Sequence, residues 1–188
     1  MYILASLEVL KRTPRKKNIT MDKIIKDKGY YDVLGNWNSI LTFEEYPDKL
    51  FRGRVEVIIL NSKNDIYMVQ YPDTYRLPGG SLERDRSQKY QVEKESEEEA
   101  GIRLGRIYST GVSYFKFFKN KYNDCNIHWD GTYTTVYVAN FKSWYYGHVR
   151  SCLRDNGMYN YGKFVPFEKA VNILIPEHLQ ALEILKQE

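Results

Sequence analysis

Three glutamates with helical spacing are the residues of this chain best suited to chemistry. Glu95, Glu98 and Glu99 lie in the acidic run EKESEEE, and residues three and four apart share one face of an α-helix. Like charges at this spacing destabilise an isolated helix by about 0.2–0.5 kcal/mol per pair. Solvent and nearby lysines would offset this repulsion on an ordinary hydrated helix face. A divalent cation would offset it as well, because Mg²⁺ prefers carboxylate oxygens, water and substrate phosphates as ligands.

The helix that carries these glutamates is predicted over residues 87–100. Asp85 or Ser87 suits its start as an N-cap, and Gly101 suits its end. The helix has few apolar residues with which to dock on a core: Tyr90, Val92 and Ala100. So small an apolar area favours a functional role for the acidic face.

Segments typical of β-strands lie on both sides of this helix. They are RVEVIIL (54–60), IYMVQY (66–71), YSTGVSYFKFF (108–118) and TYTTVYVANF (132–141), which are rich in β-branched and aromatic residues. The polar segment 119–131 is predicted as a loop, and PEHLQALEILKQE (176–188) as a closing helix. Strands around one acidic helix, with a second helix at the end, predict a mixed α/β or α+β domain.

Residues 1–50 carry weaker signals, with one short helix predicted near residues 21–28. We expect an N-terminal extension over 1–50, packed on or extending the core, and the main domain over 51–188. The length of 188 residues suits one domain with an appendage.

Composition restricts the class of protein. The chain is 43% apolar and 28% charged, with a net charge of +4, as expected for a globular protein. Its two cysteines, Cys125 and Cys152, are too few for a disulfide framework and predict a reduced, cytoplasmic location. No apolar run reaches the ~18 residues that span a bilayer, so no membrane partner is expected. The basic run KRTPRKK (11–17) is short, and such a run is usually a solvated loop, which does not favour a nucleic-acid partner.

The segment from Gly80 to Ile102 resembles the Nudix box. That pattern reads Gly, five residues, Glu, seven residues, Arg-Glu-apolar, any residue, Glu-Glu, any residue, Gly-apolar. The matching residues are Gly80, Glu95, Glu98, Glu99, Gly101 and Ile102, after the common lead-in Pro78-Gly79-Gly80. The resemblance covers about Arg54 to Lys186, and Glu83 stands where many members carry an additional Glu.

Three positions depart from the box. Arg86 stands in place of the first box Glu, Lys94 in place of the Arg, and Ser96 in place of an apolar residue. Lys94 keeps the charge but lacks the planar fork that can orient a carboxylate through two hydrogen bonds. Arg86 removes a carboxylate and adds a cation near the proposed metal ligands.

The resemblance implies that the main domain over 51–188 is a Nudix-type hydrolase domain, an α/β/α sandwich around a mixed β-sheet. It also implies a Mg²⁺- or Mn²⁺-dependent hydrolase that acts on a nucleotide derivative, a nucleoside diphosphate linked to a group X. By position, Glu95, Glu98 and Glu99 would be the metal ligands and catalytic residues, with one of them or a glutamate outside the box as the base. Residues expected to contact substrate are Arg76, Gly79, Gly80 and Arg86.

Two alternatives stay open at this point. The first is a Nudix-fold protein that binds a nucleotide or a partner and has lost most catalysis through Arg86. The second is an RNA-directed member that uses basic and aromatic surfaces. Residues 1–50 and 119–131 are the expected recognition segments, and a homodimer through the N-terminal segment is a further expectation.

Overall fold

A mixed sheet of nine strands forms the centre of the described chain. The computed structural model describes residues 28–31, 37–71, 74–83, 86–124, 127–145 and 162–185. The elements, in chain order, are β1 (Lys28–Tyr31), β2 (Trp37–Phe43), β3 (Tyr46–Leu60), β4 (Ile66–Gln70), β5 (Tyr75–Arg76), β6 (Gly79–Ser81), α1 (Gln88–Ala100), β7 (Ile102–Asp124), β8 (Ile127–Trp144), β9 (Gly162–Val165), α2 (Phe167–Ala170) and α3 (Pro176–Leu185).

Strand β3 holds the sheet together. It pairs antiparallel with β2, β4 and β6 and parallel with β8, in a register that runs from Phe51–Gly131 to Leu60–Asn140. Strand β7 completes the sheet as the antiparallel neighbour of β8. This mixture of parallel and antiparallel pairs confirms the predicted mixed sheet.

The two faces of the sheet carry different helices, because side chains alternate along a strand. Val55, Val57 and Ile59 of β3 pack on the side of α1, whereas Ile58 and Leu60 pack on the side of α3. The predicted α/β/α sandwich is thereby confirmed. None of the helices among the described residues combines the length and apolarity needed to cross a bilayer.

The prediction of a loop over residues 119–131 is wrong. Strands β7 and β8 continue through this segment as a hairpin, with Tyr122 opposite Trp129 and Asp124 opposite Ile127 in the register. Trp129 is fully buried. The polar composition is typical of turns, but the long β7–β8 pairing extends into it, and only residues 125–126 lie outside the described hairpin.

The described part of the first fifty residues extends the sheet. Strand β1 pairs with β2, and β2 pairs with β3, so β3 (Tyr46–Leu60) runs through the expected boundary at residue 50. The short helix predicted near residues 21–28 lies outside the described residues except for Lys28, which begins β1.

Candidate active site

Helix α1 begins and ends where its capping residues predict. The Ser87 hydroxyl accepts a hydrogen bond from the Tyr90 backbone N–H at 3.1 Å, which satisfies one of the free donors of the first turn. Gly101 ends the helix in the left-handed region, at φ 61°, a conformation that glycine adopts without strain. Asp85, the other expected cap, lies outside the described residues.

The buried side of α1 is small and partly polar. Val92 and Ala100 pack into the core, beside two fully buried polar residues, Gln91 and Ser96. The Ser96 hydroxyl donates to the Val92 carbonyl at 2.8 Å, so its polar atom is satisfied within the helix. The departure from the box at Ser96 therefore reduces apolar contact without leaving a buried group unpaired.

The two glycines of β6 face opposite sides of the sheet. At Gly80 a Cβ atom would overlap the carboxylate of Glu95, whereas at Gly79 it would overlap the Val55 carbonyl and approach the Glu56 side chain. The absence of a side chain at Gly80 thus creates the space that the Glu95 carboxylate fills. This contact explains why the box-like segment requires glycine there.

The Glu95 carboxylate lies partly buried between Gly80 and Gln91. Gln91 Nε2 donates to Glu95 Oε1 at 2.7 Å. Burial raises the pKa of Glu95, and the neighbouring charge of Glu98 acts in the same direction, while the Gln91 hydrogen bond and the cations of Lys94 and Arg54 lower it. The net upward shift means that the ionised form is destabilised where it stands.

Glu99 and Glu98 have different surroundings. Glu99 Oε2 accepts a hydrogen bond from the Gly79 backbone N–H at 2.9 Å, and Tyr71 donates to its Oε1 at 3.5 Å. Glu98 Oε1 lies 3.9 Å from Lys94 Nζ, and Lys94 also pairs with Glu83. Lys94 therefore bridges Glu83 and Glu98, and the hydrogen bond to Glu95 comes from Gln91.

The donor set of α1 fits a hard divalent cation. Within the described ranges, no three His, Cys, Asp or Glu side chains converge into a preassembled metal cluster. The donors are nevertheless carboxylate oxygens, and burial, with the neighbouring charge of Glu98, raises the pKa of Glu95, so a cation bound there would stabilise its ionised form. Mg²⁺ is typically held by one or two carboxylates, with water and substrate phosphates as its other ligands, so a partial set of this kind suits it.

A cleft of about 1030 Å³ opens on the α3 side of the sheet, next to Gly79. Arg76, predicted to contact phosphate, lines this cleft and stacks on Tyr71 with 4.5 Å between the guanidinium carbon and the ring centroid. Arg86 is not among the lining residues; it is exposed and stacks on Tyr90 at 4.9 Å. The cleft and α1 thus share Gly79 as a boundary, with Arg76 on the cleft side.

The floor of the cleft holds a carboxylate that the sequence pattern did not single out. Glu56 Oε2 accepts a hydrogen bond from the Tyr114 hydroxyl at 2.7 Å and lies 2.8 Å from His178 Nε2. Burial alone would raise the pKa of Glu56, but the hydrogen bonds of His178 and Tyr114 and the charge of Arg54 hold it below the ordinary value. The sequence feature that could have indicated this part of the site is the charged residue Glu56 within the apolar strand segment RVEVIIL.

Glu56 is expected to couple stability to pH. Because its folded pKa is depressed, its ionised form stabilises the fold above the ordinary value of 4.5, and this contribution is lost as the pH falls through the folded pKa. Glu56→Gln is expected to lower the free energy of unfolding by about 1–3 kcal/mol at pH 7. The difference between the two proteins should shrink below pH 4.5.

Unfolding by guanidinium chloride at pH 7, 5 and 3.5 measures the difference in the free energy of unfolding between the parent chain and the Glu56→Gln variant. Glu168→Gln is the matched control, because Glu168 is exposed on α2 and should leave stability unchanged at every pH. A Glu56→Gln deficit that stays constant over the whole pH range would show that the carboxylate charge is not what stabilises this floor.

No protein-family model and no curated protein matches the sequence, but solved structures do. A chain from work on MutT of Aliivibrio salmonicida and Vibrio cholerae is 19% identical and has a TM-score of 0.46, covering 72% of this chain and 97% of its own. The Bacillus subtilis pyrophosphohydrolase BsRppH, in a mutant form, is 16% identical and has a TM-score of 0.48, covering 85% and 96%. A Nudix hydrolase from Nitrosomonas europaea is 14% identical, covering 72% and 88%. This last match reaches a TM-score of 0.50, and at such low identity the likeness concerns the fold alone.

Proposed function

Because the chain has the fold of the Nudix hydrolases, we propose that it is a divalent-metal-dependent hydrolase of a nucleoside diphosphate linked to a group X. The bond cleaved is the pyrophosphate bond. The observation that carries this proposal is the Glu95 carboxylate, which is enclosed beside Gly80 and hydrogen-bonded by Gln91. A hydrated helix face needs no such enclosure.

The carboxylates of α1 would hold the cation. Glu95, Glu98 and Glu99 offer hard oxygen donors of the kind that Mg²⁺ or Mn²⁺ takes. When bound, such an ion would neutralise charge on the diphosphate and lower the pKa of a coordinated water.

Glu95 is the residue of α1 best prepared to accept a proton from the attacking water. Its Oε1 atom accepts the Gln91 hydrogen bond, which orients the carboxylate and leaves lone pairs that can receive the proton. A carboxylate whose pKa is raised by burial is a stronger base than one in water. Glu99 accepts a hydrogen bond from the Gly79 N–H through Oε2, so it would hold the cation while also joining the helix to β6.

The cleft side of β6 would orient the substrate. Gly79 lines the cleft and donates its backbone N–H to Glu99 of α1, so a phosphate bound beside Gly79 would lie between the cleft and the acidic helix. Arg76 lines the cleft beside it, and a guanidinium can contact two phosphate oxygens at once. A cytoplasmic location, proposed from the cysteine usage, suits a nucleotide-derived substrate of this kind.

A hydrolysis screen tests the proposal and its dependence on metal. ADP-ribose, dinucleoside polyphosphates, nucleotide sugars and oxidised nucleoside triphosphates are incubated with Mg²⁺, with Mn²⁺ and with EDTA. We expect release of a nucleoside monophosphate from at least one substrate with metal and none with EDTA, and Glu98→Gln should abolish that release.

The outcomes also separate the alternatives. Tight binding of a nucleotide with no turnover under any metal would replace the hydrolase by a Nudix-fold binding protein, in which Arg86 has taken the place of a needed carboxylate. Turnover that persists in EDTA would contradict the metal assignment. Binding of RNA that weakens steeply with salt, without turnover of any small substrate, would favour the RNA-directed alternative.

A further inference from the structure

The floor of the cleft carries two cross-strand rows of polar residues. In the register, Thr132 of β8 has Arg52 of β3 on one side and Lys116 of β7 on the other. The next row has Thr134 in the middle, between Arg54 and Tyr114. All six residues line the cleft. Since neighbouring strands lie about 4.8 Å apart, the backbones of Arg52 and Lys116 are separated by about 10 Å, with the Thr132 side chain between them.

Within the described part of the chain, no carboxylate forms an ion pair with the cations of the first row. Among the described residues, the ion pairs involve Lys49, Lys94 and His178, and neither Arg52 nor Lys116 takes part in one. The Arg52 Nε atom is buried and has no hydrogen-bond partner in that part of the chain. A buried donor without an acceptor is costly, so an anionic ligand that reaches Arg52 would supply an acceptor that the described residues do not.

Two carboxylates line the cleft together with these rows, Glu56 and Glu177, and Glu56 is already engaged. Glu56 accepts both the Tyr114 and the His178 hydrogen bonds through Oε2. Arg76 adds a further cation on the cleft wall, stacked on Tyr71. The cleft therefore presents a surplus of positive charge on the side away from the acidic helix.

We propose that the group X of the substrate is itself anionic and carries at least one phosphate beyond the diphosphate that is cleaved. Arg52 and Lys116 bind this additional phosphate, with the Thr132 hydroxyl between them. The inference rests on the proposed function, because it assigns the far end of the same substrate. A sugar without phosphate would leave these cations without a counterion.

The size of the cleft agrees with such a substrate. Small-molecule pockets commonly measure about 300–1,000 Å³, and this cleft, at about 1030 Å³, lies at the upper end. It can hold a nucleotide together with a phosphorylated second group. Gly79 lines the cleft and donates its backbone N–H to Glu99 of the acidic helix, so a substrate that passes Gly79 would have one end at the acidic helix and the other at the cationic row.

Two ligands with the same adenosine diphosphate part test the proposal. Diadenosine tetraphosphate carries additional phosphates, whereas the ribose of ADP-ribose carries none beyond the diphosphate. Binding is measured by calorimetry in EDTA, so that turnover does not interfere. We expect the tetraphosphate to bind at least about tenfold more tightly, and Arg52→Gln and Lys116→Gln each to weaken it by about fivefold to tenfold. ADP-ribose affinity should change less than about twofold.

Matched variants make the result decisive. Arg106→Gln removes an exposed arginine of β7 that stacks on Tyr108 outside the cleft lining, and it should leave both affinities unchanged. Lys116 is exposed, so its variant keeps the test valid even if Arg52→Gln does not fold. Equal affinity for the two ligands, or equal weakening of both by the cleft variants, would overturn the proposal.

Failure of this inference is distinguishable from failure of the proposed hydrolase. Selective tetraphosphate binding that depends on Arg52 and Lys116, with no turnover in Mg²⁺, supports the anionic group and contradicts hydrolysis. Turnover of ADP-ribose at a rate that neither variant affects, without a preference for the tetraphosphate, supports hydrolysis and overturns the anionic group.

Discussion

Glu95→Gln is expected to lower kcat for pyrophosphate hydrolysis by about a hundredfold to ten-thousandfold. The amide retains the size of the side chain, but it can neither accept a proton at neutral pH nor balance the charge of a cation. Glu95 is the carboxylate of α1 that burial, Gln91 and Gly80 enclose. Its loss is therefore expected to remove chemistry and to leave the fold intact.

The fold is expected to survive because Gln91 can adapt. Its Oε1 atom is buried without a hydrogen-bond partner among the described residues. The new side chain keeps a carbonyl oxygen that can accept from Gln91 Nε2, or the Gln91 amide can rotate so that its Oε1 accepts from the new NH2 group, and one hydrogen bond between the two side chains is kept in either case. The melting temperature should consequently stay at or above that of the parent chain.

Steady-state kinetics and thermal unfolding of the two proteins check this prediction. Glu97→Gln is the control, since Glu97 is exposed on the same helix and its neutralisation should leave kcat within about twofold of the parent value. If Glu95→Gln retains the parent kcat while remaining folded, Glu95 is neither a metal ligand nor the base.

The helix and the sheet were predictable because their signals are local. Ser87 and Gly101 mark the ends of α1 at the sequence level and act as its caps in the structure. The β-branched run after Arg54 indicated a strand, although β3 starts earlier, at Tyr46. Periodicity and capping act within a few residues, which is the distance over which a sequence pattern can be read directly.

The floor of the cleft was not predictable in this way. Glu56 contacts His178 across 122 positions of sequence and Tyr114 across 58. Helix α3 was predicted from its leucines, yet the residues that it places at the cleft are Pro176, Glu177 and the buried His178. Which polar residue meets which depends on strand order and on helix rotation, and neither is encoded in local spacing.

Lys94 shows that local spacing also fails to predict side-chain contacts within the segment that resembles the Nudix box. The sequence predicts that a lysine there cannot orient a carboxylate as the box arginine can. In the structure Lys94 pairs with Glu83 and lies near Glu98, and the bond to Glu95 comes from Gln91, one turn earlier. The spacing of the glutamates indicated the site, but the residue that orients Glu95 depends on burial at a position that the box leaves free.

Gly80→Ala is expected to reduce kcat by about a hundredfold, with only a modest loss of stability. The added Cβ would overlap the Glu95 carboxylate, and the carboxylate is the mobile end of its side chain, so it can move aside. A displacement of about 1 Å at a reacting group can cost about a hundredfold in rate. Gly80 is not among the described glycines with positive φ, so alanine introduces no backbone strain.

Gly79→Ala is the contrasting variant, because the two glycines face different neighbours. Its Cβ would overlap the backbone carbonyl of Val55, which cannot move without shifting β3, so a destabilisation of about 1–3 kcal/mol or more is expected. Melting temperatures and kcat values measured for both variants separate the two effects. The prediction is contradicted if the Gly80→Ala variant is fully active, or if it is destabilised as strongly as the Gly79→Ala variant. Either result would show that the space beside Gly80 does not serve to position the Glu95 carboxylate.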